Sequence, residues 1–583
     1  MYSPGSANAG LVRALMESMT IEDKIGQMIM VGFDGQSLTP ELEAHLNDVH
    51  AGNVIFLGRN YADPKQMWGF TNDLQRMASR RSVPVGLLTA IDQEGGIVAR
   101  LLNGVTVFPG NMALGATGRA DYARRAAKVT AEEMLQLGLN MNLAPVLDVN
   151  NNPGNPAIGV RSYGESPELV AAMGAKAIAA SQSTGVLATA KHFPGKGDVT
   201  RDSHIDLPHV PHNRERLNQV ELVPFKAAIA AGVGAIMTAH VTFPAIEPEP
   251  LLPATMSQRV LQGLLRDELG FRGIIITDDL FMGAISKSHG LAEAAIRSIN
   301  AGADIVLMCH NPDEQVIATK AIWEAARSGR IAMYTIDSSV RRVLSAKALF
   351  GILTPPVRAR RPQGVGSQAN RRLALEIARE SVTVVLDRDG IIPFSPGGAG
   401  AGGSGHTEGA SGGACGGACR GACRGACGAG RDDRNDVDVL VISPDIKNLT
   451  MVEDTGCHGS PLAKAVRMFV PGASDITVSQ SPLDQEIQDA ATAAFGRDLV
   501  IVGTHNGHLY PAQAGLVKRV GQAGSPVVVV GMRNPYDVGD FPEIGTYVAA
   551  YSFRECSMQA AAEVIFGFTV PLGQLPVTIP GCK

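Results

Sequence analysis

The chain has little net charge for its 583 residues, −5 from 51 Lys and Arg against 56 Asp and Glu. With no clustered basic face and no RNA-binding signature, a nucleic acid partner is not expected. Long hydrophobic runs are also missing. Residues 227–246 carry no formal charge, but Gly232, Gly234, His240 and Pro244 divide them into a helix end, a turn and a strand, so no membrane span is read there. The opening Met1-Tyr2-Ser3-Pro4-Gly5 lacks the basic and apolar regions of a secretion signal, and the expected location is cytoplasmic. P-loop, dinucleotide and zinc signatures are absent, so neither a cofactor nor a metal is expected. Cysteine is sparse outside one tract. Cys309, Cys457, Cys556 and Cys582 are scattered, whereas Cys415, Cys419, Cys423 and Cys427 recur every fourth residue in Gly/Ala-rich sequence. Such spacing suits a soft metal in principle, but nothing around it would orient the thiolates. The tract falls in a low-complexity insertion at about residues 398–436 that cannot bury enough apolar surface to fold, and it is read as disordered.

What remains is ample for two cores. Apolar residues make up 45% of the chain, and the length exceeds what one ordinary core holds. Eight strand-like apolar runs occupy residues 28–32, 53–58, 85–92, 140–148, 186–193, 234–240, 273–279 and 303–309. Helical patterns lie between them, among them 64–78, 122–137, 167–183, 217–231, 257–269 and 291–301. Eight strand–helix units predict an α/β fold with an N-terminal (β/α)8 barrel over residues 1–355. An open doubly wound sheet is the alternative. Closure is favoured because Asp92, Asp148, Lys191, His192, His240, Asp278 and Asp279 all stand at the carboxyl ends of their runs, where a barrel gathers its chemistry. Residues 356–372, rich in Arg, Pro and Gly, read as a linker. Residues 373–583 then alternate strand and helix patterns again, as a smaller three-layer α/β sandwich.

The most informative stretch is Lys191-His192-Phe193-Pro194-Gly195-Lys196-Gly197-Asp198, followed by Asp202-Ser203-His204. A lysine and a histidine close a buried strand, and the glycines and proline after them stop any regular continuation. Asp202 is near enough in sequence to His204 to fix its tautomer and leave the other ring nitrogen free for proton transfer.

Taken with Asp92-Gln93-Glu94-Gly95-Gly96, Arg161-Ser162-Tyr163-Gly164, Met237-Thr238-Ala239-His240 and Thr277-Asp278-Asp279-Leu280, this stretch resembles family 3 glycoside hydrolases, specifically their β-N-acetylglucosaminidase branch. The likeness spans residues 20–350, and the second domain resembles the sandwich of longer members. It implies that Asp278 is a nucleophile forming a covalent glycosyl-enzyme and that His204, supported by Asp202, is the acid/base. It further implies that Asp92, Arg100, Arg161, Lys191 and His192 hold sugar hydroxyls. A retaining mechanism needs a carboxylate on the anomeric face, a proton donor at the leaving oxygen and polar groups to orient the ring. Two positions depart from the family pattern. Lys196 stands where histidine is common, for which altered loop packing or subsite preference is expected, and Ile97 stands where arginine often follows the double glycine.

Other roles compete at each position. Asp278 and Asp279 could cap a helix near Leu280; Asp279 is read as a cap or supporting residue. His204 could be a loop histidine satisfied by Asp202 alone, and Arg100 and Arg161 surface ion-pair formers. His240 is open between a structural hydrogen bond and a substrate contact, and Asp148 is read as bracing a neighbouring loop. Three functions follow: a glycosidase removing terminal N-acetylglucosamine from small amino-sugar glycosides such as peptidoglycan or chitin fragments, a phosphorylase of the same branch, or a silent sugar binder. A binder has no need of a nucleophile.

Overall fold

The computed structural model describes residues 6–285, 290–358, 361–395, 437–446, 453 and 459–581. The insertion at 398–436 and its four cysteines lie outside the described residues.

Eight parallel strands close into a barrel: Ile29–Val31, Asn53–Phe56, Leu88–Ile91, Met141–Asn142, Leu187–Phe193, Ala235–Thr238, Ile274–Asp279 and Ile305–Met308. The first pairs with the eighth, Ile29 opposite Val306, and so leaves no open edge. Alternation fills the interior. Leu88 and Ala90, Ala235 and Met237, Ile274 and Ile276, and Ile305 and Leu307 all join one inner cluster, while Ile236 and Ile275 pack outward against helices.

Helices Pro64–Ser79, Ala120–Gln136, Pro167–Ser183 and Leu291–Ala301 form where the patterns predict them. Asp63 and Ser166 cap the first and third by accepting hydrogen bonds from the first turn. Three segments differ from expectation. The single helix over 217–231 is two, Arg214–Gln219 and Leu222–Ala230. Pro224 is the reason: its ring would clash with the Val220 carbonyl of a continuous helix, whereas in the first turn of a new one it is tolerated. Arg259–Glu268 is a π-helix. The fourth strand shrinks to Met141–Asn142 because Pro145, lacking an amide hydrogen, cannot extend the ladder.

The second domain is a six-stranded sheet in the order Thr383–Asp387, Thr546–Ala549, Val527–Gly531, Leu499–Thr504, Val439–Pro444, Ser474–Val478. Its first strand is antiparallel to its neighbour and the rest are parallel. Helix Gln368–Ser381 begins inside the stretch read as a linker, and that stretch is strapped to the barrel, with Arg358 N donating to Asn72 and Gly366 N to Glu133. The two domains share a core. Ile97, Val98, Met112, Ala113, Ala116 and Val160 of the barrel pack with the buried face of the sheet. Among the described residues no helix is long and apolar enough to cross a membrane.

Candidate active site

The inward alternation of the barrel strands continues into their carboxyl ends. Leu88 and Ala90 lead to Asp92, and Ile274 and Ile276 lead to Asp278, so the period that buries the aliphatic layer also aims these carboxylates into the cavity above it. On the fifth strand the register slips between Ala190 and Phe193. This irregularity lets adjacent Lys191 and His192 both line the cavity, which plain alternation would forbid. The cavity holds about 350 Å³, at the lower end for small-molecule sites. Met237, Leu143 and Ile55 also line it, with Asp92, Arg100, Arg161, Lys191, His192, Lys196, His204, Asp278 and Asp279 supplying polar groups.

A buried charge network lies along one wall. Lys191 Nζ is 2.7 Å from both Asp92 Oδ1 and Glu94 Oε1, and Arg161 grips Glu94 with two bonds of 2.8 and 3.0 Å. Burial favours the neutral acid at Glu94, but the Arg161 and Lys191 charges outweigh it and hold the carboxyl at about 2. Arg100 sits 3.7 Å from Asp92 Oδ2. Burial fixes these side chains, so a ligand entering the cavity meets groups already oriented.

The loop after the fifth strand is organised by Asp148, fully buried. It receives His192 Nδ1 at 2.7 Å and the amide of Lys196 at 2.7 Å. Asp148 thus braces its neighbour, as expected, and fixes the His192 tautomer with Nε2 toward the cavity, 3.9 Å from Asp278 Oδ2. Burial, followed by the Lys196 and Arg161 charges, drives the His192 imidazole well below its ordinary value, which favours its neutral form. Gly197 is needed because an added Cβ would meet the Val149 carbonyl at 1.7 Å.

Asp202 Oδ1 accepts from the His204 amide at 2.9 Å and lies 2.6 Å from His204 Nδ1. The other ring nitrogen is left to the cavity that His204 lines. Burial would raise the Asp202 carboxyl, yet its bond to His204 prevails and lowers it. Asp278 Oδ1 accepts from the Asp279 amide at 2.9 Å, while Oδ2 faces Lys196 Nζ at 3.6 Å. Burial alone would raise this carboxyl; the Lys196 charge, then His240, His204 and Lys191, hold it down at about 2.

Asp279 is a brace. Its Oδ1 accepts from the Cys309 and Phe281 amides at 3.0 and 3.3 Å, tying the seventh strand end to the eighth. Burial, with the Asp278 charge adding to it, pushes its carboxyl up to about 7. A carboxyl raised on folding carries no penalty below the ordinary carboxylate range and an increasing one as pH climbs toward 7. Chemical denaturation at pH 4.5 and 7.5 should show the wild type losing stability relative to Asp279→Asn, by at most about 1.4 kcal/mol per pH unit. Parallel pH profiles for the two proteins would show that this carboxyl titrates normally.

His240 resolves to a structural role. Both ring nitrogens are occupied, Nδ1 by Thr255 Oγ1 at 2.8 Å and Nε2 by the Asp279 carbonyl at 3.0 Å. Ile97 is buried in the core shared with the second domain, away from the cavity. Three features in or behind the cavity wall were not anticipated from the sequence. Glu94 carries the network above, Lys196 touches Asp278, and Glu453 of the second domain reaches the cavity wall, paired with buried Arg533. Glu94 stands inside a quoted motif, and a carboxylate beside Asp92 was the available signal. Glu453 had none.

A closed barrel presenting an ionised carboxylate, a carboxylate-supported histidine and a wall of fixed polar groups around a ring-sized cavity defines a glycosidase. The pattern of the glycosyl hydrolase family 3 N terminal domain matches residues 20–346, and that of the family 3 C-terminal domain matches residues 434–582. The chain belongs to glycosyl hydrolase family 3. It is similar to beta-hexosaminidase A of Pseudoalteromonas piscicida, 36% identical over 414 residues that cover 64% of this chain and 69% of that one. A beta-hexosaminidase of Stenotrophomonas maltophilia is 38% identical over 289 residues, covering 48% of this chain and 83% of the relative. Among solved structures, a glycoside hydrolase family 3 beta-N-acetylglucosaminidase from Paenibacillus sp. str. FPU-7 superposes with a TM-score of 0.85 at 37% identity, over 96% of this chain and 99% of that one.

Proposed function

We propose that this enzyme removes terminal β-linked N-acetylglucosamine from small glycosides, such as peptidoglycan or chitin fragments, with retention of anomeric configuration. The observation that carries the reading is the pairing, in one cavity, of Asp278 held ionised with the Asp202–His204 dyad. The N-acetyl preference is supported by the relatives, which are named beta-hexosaminidases and a beta-N-acetylglucosaminidase. Asp278 attacks the anomeric carbon as His204 protonates the departing oxygen; water, deprotonated by the same imidazole, then releases the sugar. Asp92, Arg100, Arg161, Lys191 and His192 hold the ring hydroxyls and orient it for attack.

Phosphate as the acceptor is the second reading. A histidine acid/base bears no negative charge to repel that anion, as a carboxylate would. Turnover of a nitrophenyl N-acetylglucosaminide with and without inorganic phosphate, followed by product identification, decides between them. The expected product is free N-acetylglucosamine at a rate indifferent to phosphate; a sugar 1-phosphate with phosphate-dependent turnover overturns hydrolysis, and absence of turnover on N-acetylglucosaminides overturns the substrate.

A further inference from the structure

The lysine at position 196 is one of the largest fully buried side chains, 1% exposed. A lysine is seldom buried unless an anion compensates it. Its ion-pair partner among the described residues is Asp278 Oδ2, at 3.6 Å, and the ammonium also reaches Ser203 Oγ at 3.5 Å. The backbone beneath it is held from two sides, its amide by Asp148 Oδ1 at 2.7 Å and its carbonyl by Asn155 Nδ2 at 2.9 Å. Gly197 then packs against Val149 with no room for a side chain. The ammonium is therefore placed before substrate arrives. Among the described residues Lys196 is the nearer basic group to Oδ2, at 3.6 Å against 3.9 Å for His192 Nε2, whose ring is already tied through Nδ1 to Asp148.

We infer that Lys196 is a leaving-group stabiliser, acting on the second half of the reaction by favouring release of the Asp278 carboxylate from the glycosyl-enzyme. This rests on the reading of Asp278 as nucleophile. In the breakdown step a water oxygen bonds to the anomeric carbon, its proton passes to His204, and the bond from that carbon to the Asp278 oxygen breaks. Its electron pair returns to the carboxylate. Negative charge thus grows on Asp278 beside a cation already in place, which stabilises that transition state without reorganisation. In the glycosyl-enzyme the same carboxyl is an uncharged ester, and buried Lys196 has lost its counter-ion, which raises the intermediate. Both effects speed breakdown. Formation of the intermediate gains nothing comparable, because there the same charge disappears.

The predicted signature is a split between kinetic constants. In Lys196→Gln, kcat should fall by about 10²-fold, the scale of losing one preorganised electrostatic group. KM should fall with it as glycosyl-enzyme accumulates, leaving kcat/KM within about threefold of wild type. Rapid mixing with a dinitrophenyl N-acetylglucosaminide should give a burst of phenolate that the wild type lacks. Enzyme labelled with a 5-fluoro N-acetylglucosaminyl fluoride should reactivate correspondingly more slowly. Lys196→Arg, which keeps the charge, should recover part of kcat and weaken the burst, and native circular dichroism checks that each variant folds. Equal losses in kcat and kcat/KM without a burst would overturn the inference, as would unchanged kinetics in Lys196→Gln. Peptide mapping of the label separates failure of the underlying reading: a label on any residue other than Asp278 removes the nucleophile assignment itself.

Discussion

Asp278→Asn is expected to abolish turnover, by at least about 10³-fold, because an amide cannot form the covalent glycosyl-enzyme. The side chain is nearly isosteric, so Asp279 N still finds an oxygen acceptor at 278 and the seventh strand keeps its path. Stability falls, since Lys196 loses its ion pair. The carboxyl is held at about 2 against 3.8 unperturbed, which corresponds to roughly 2 kcal/mol. That stabilisation is present above the ordinary carboxylate range and is lost as pH falls through about 2. The variant should therefore show native circular dichroism, a lower melting temperature at pH 7 and no activity. A mechanism-based fluorosugar should label the wild type at Asp278. Labelling at Asp279, or full activity in the Asn variant, would sink the assignment.

Asp202→Asn should slow hydrolysis by about 10²- to 10⁴-fold, the range of a positioned acid/base. In the proposed mechanism Asp202 does two things for His204: it holds Nδ1 by a hydrogen bond and offsets the charge that develops when Nε2 takes a proton. An amide at 202 can still accept a hydrogen bond but brings no charge. The loss should be largest for natural disaccharides, whose alkoxide leaving group needs a proton, and smaller for nitrophenyl glycosides, which need it less. Equal losses on both substrates would make a role in leaving-group protonation untenable.

These predictions start from residues visible in the sequence, and the reason is periodicity. Asp92 and Asp278 each extend an alternating apolar run by one step, so the rule that buries the strand also points the carboxylate into the barrel mouth. Asp202 and His204 were legible because two residues suffice to bring carboxylate and imidazole together. His240 stood at a strand end like the others, yet its partners, Thr255 and the Asp279 carbonyl, come from elsewhere in the chain. Nothing local distinguished it from a substrate contact. Pro224 offered a local signal, since a proline four residues beyond Val220 breaks a continuous helix.

By itself the sequence determined the eight-unit barrel, the second α/β domain and the strand ends that line the cavity, because alternation, caps and turn residues act over a few positions. Tertiary structure alone decided how those ends are wired. Closure of the barrel sets Lys191 against Asp92, 99 residues earlier, and Arg161 against Glu94, 67 residues earlier. It turned Lys196 from a loop substitution into the charge beside Asp278, assigned Ile97 to the interdomain core, and brought Glu453 of the other domain to the cavity wall. Pairings of this kind depend on chain closure over long separations, and local spacing carries no record of them.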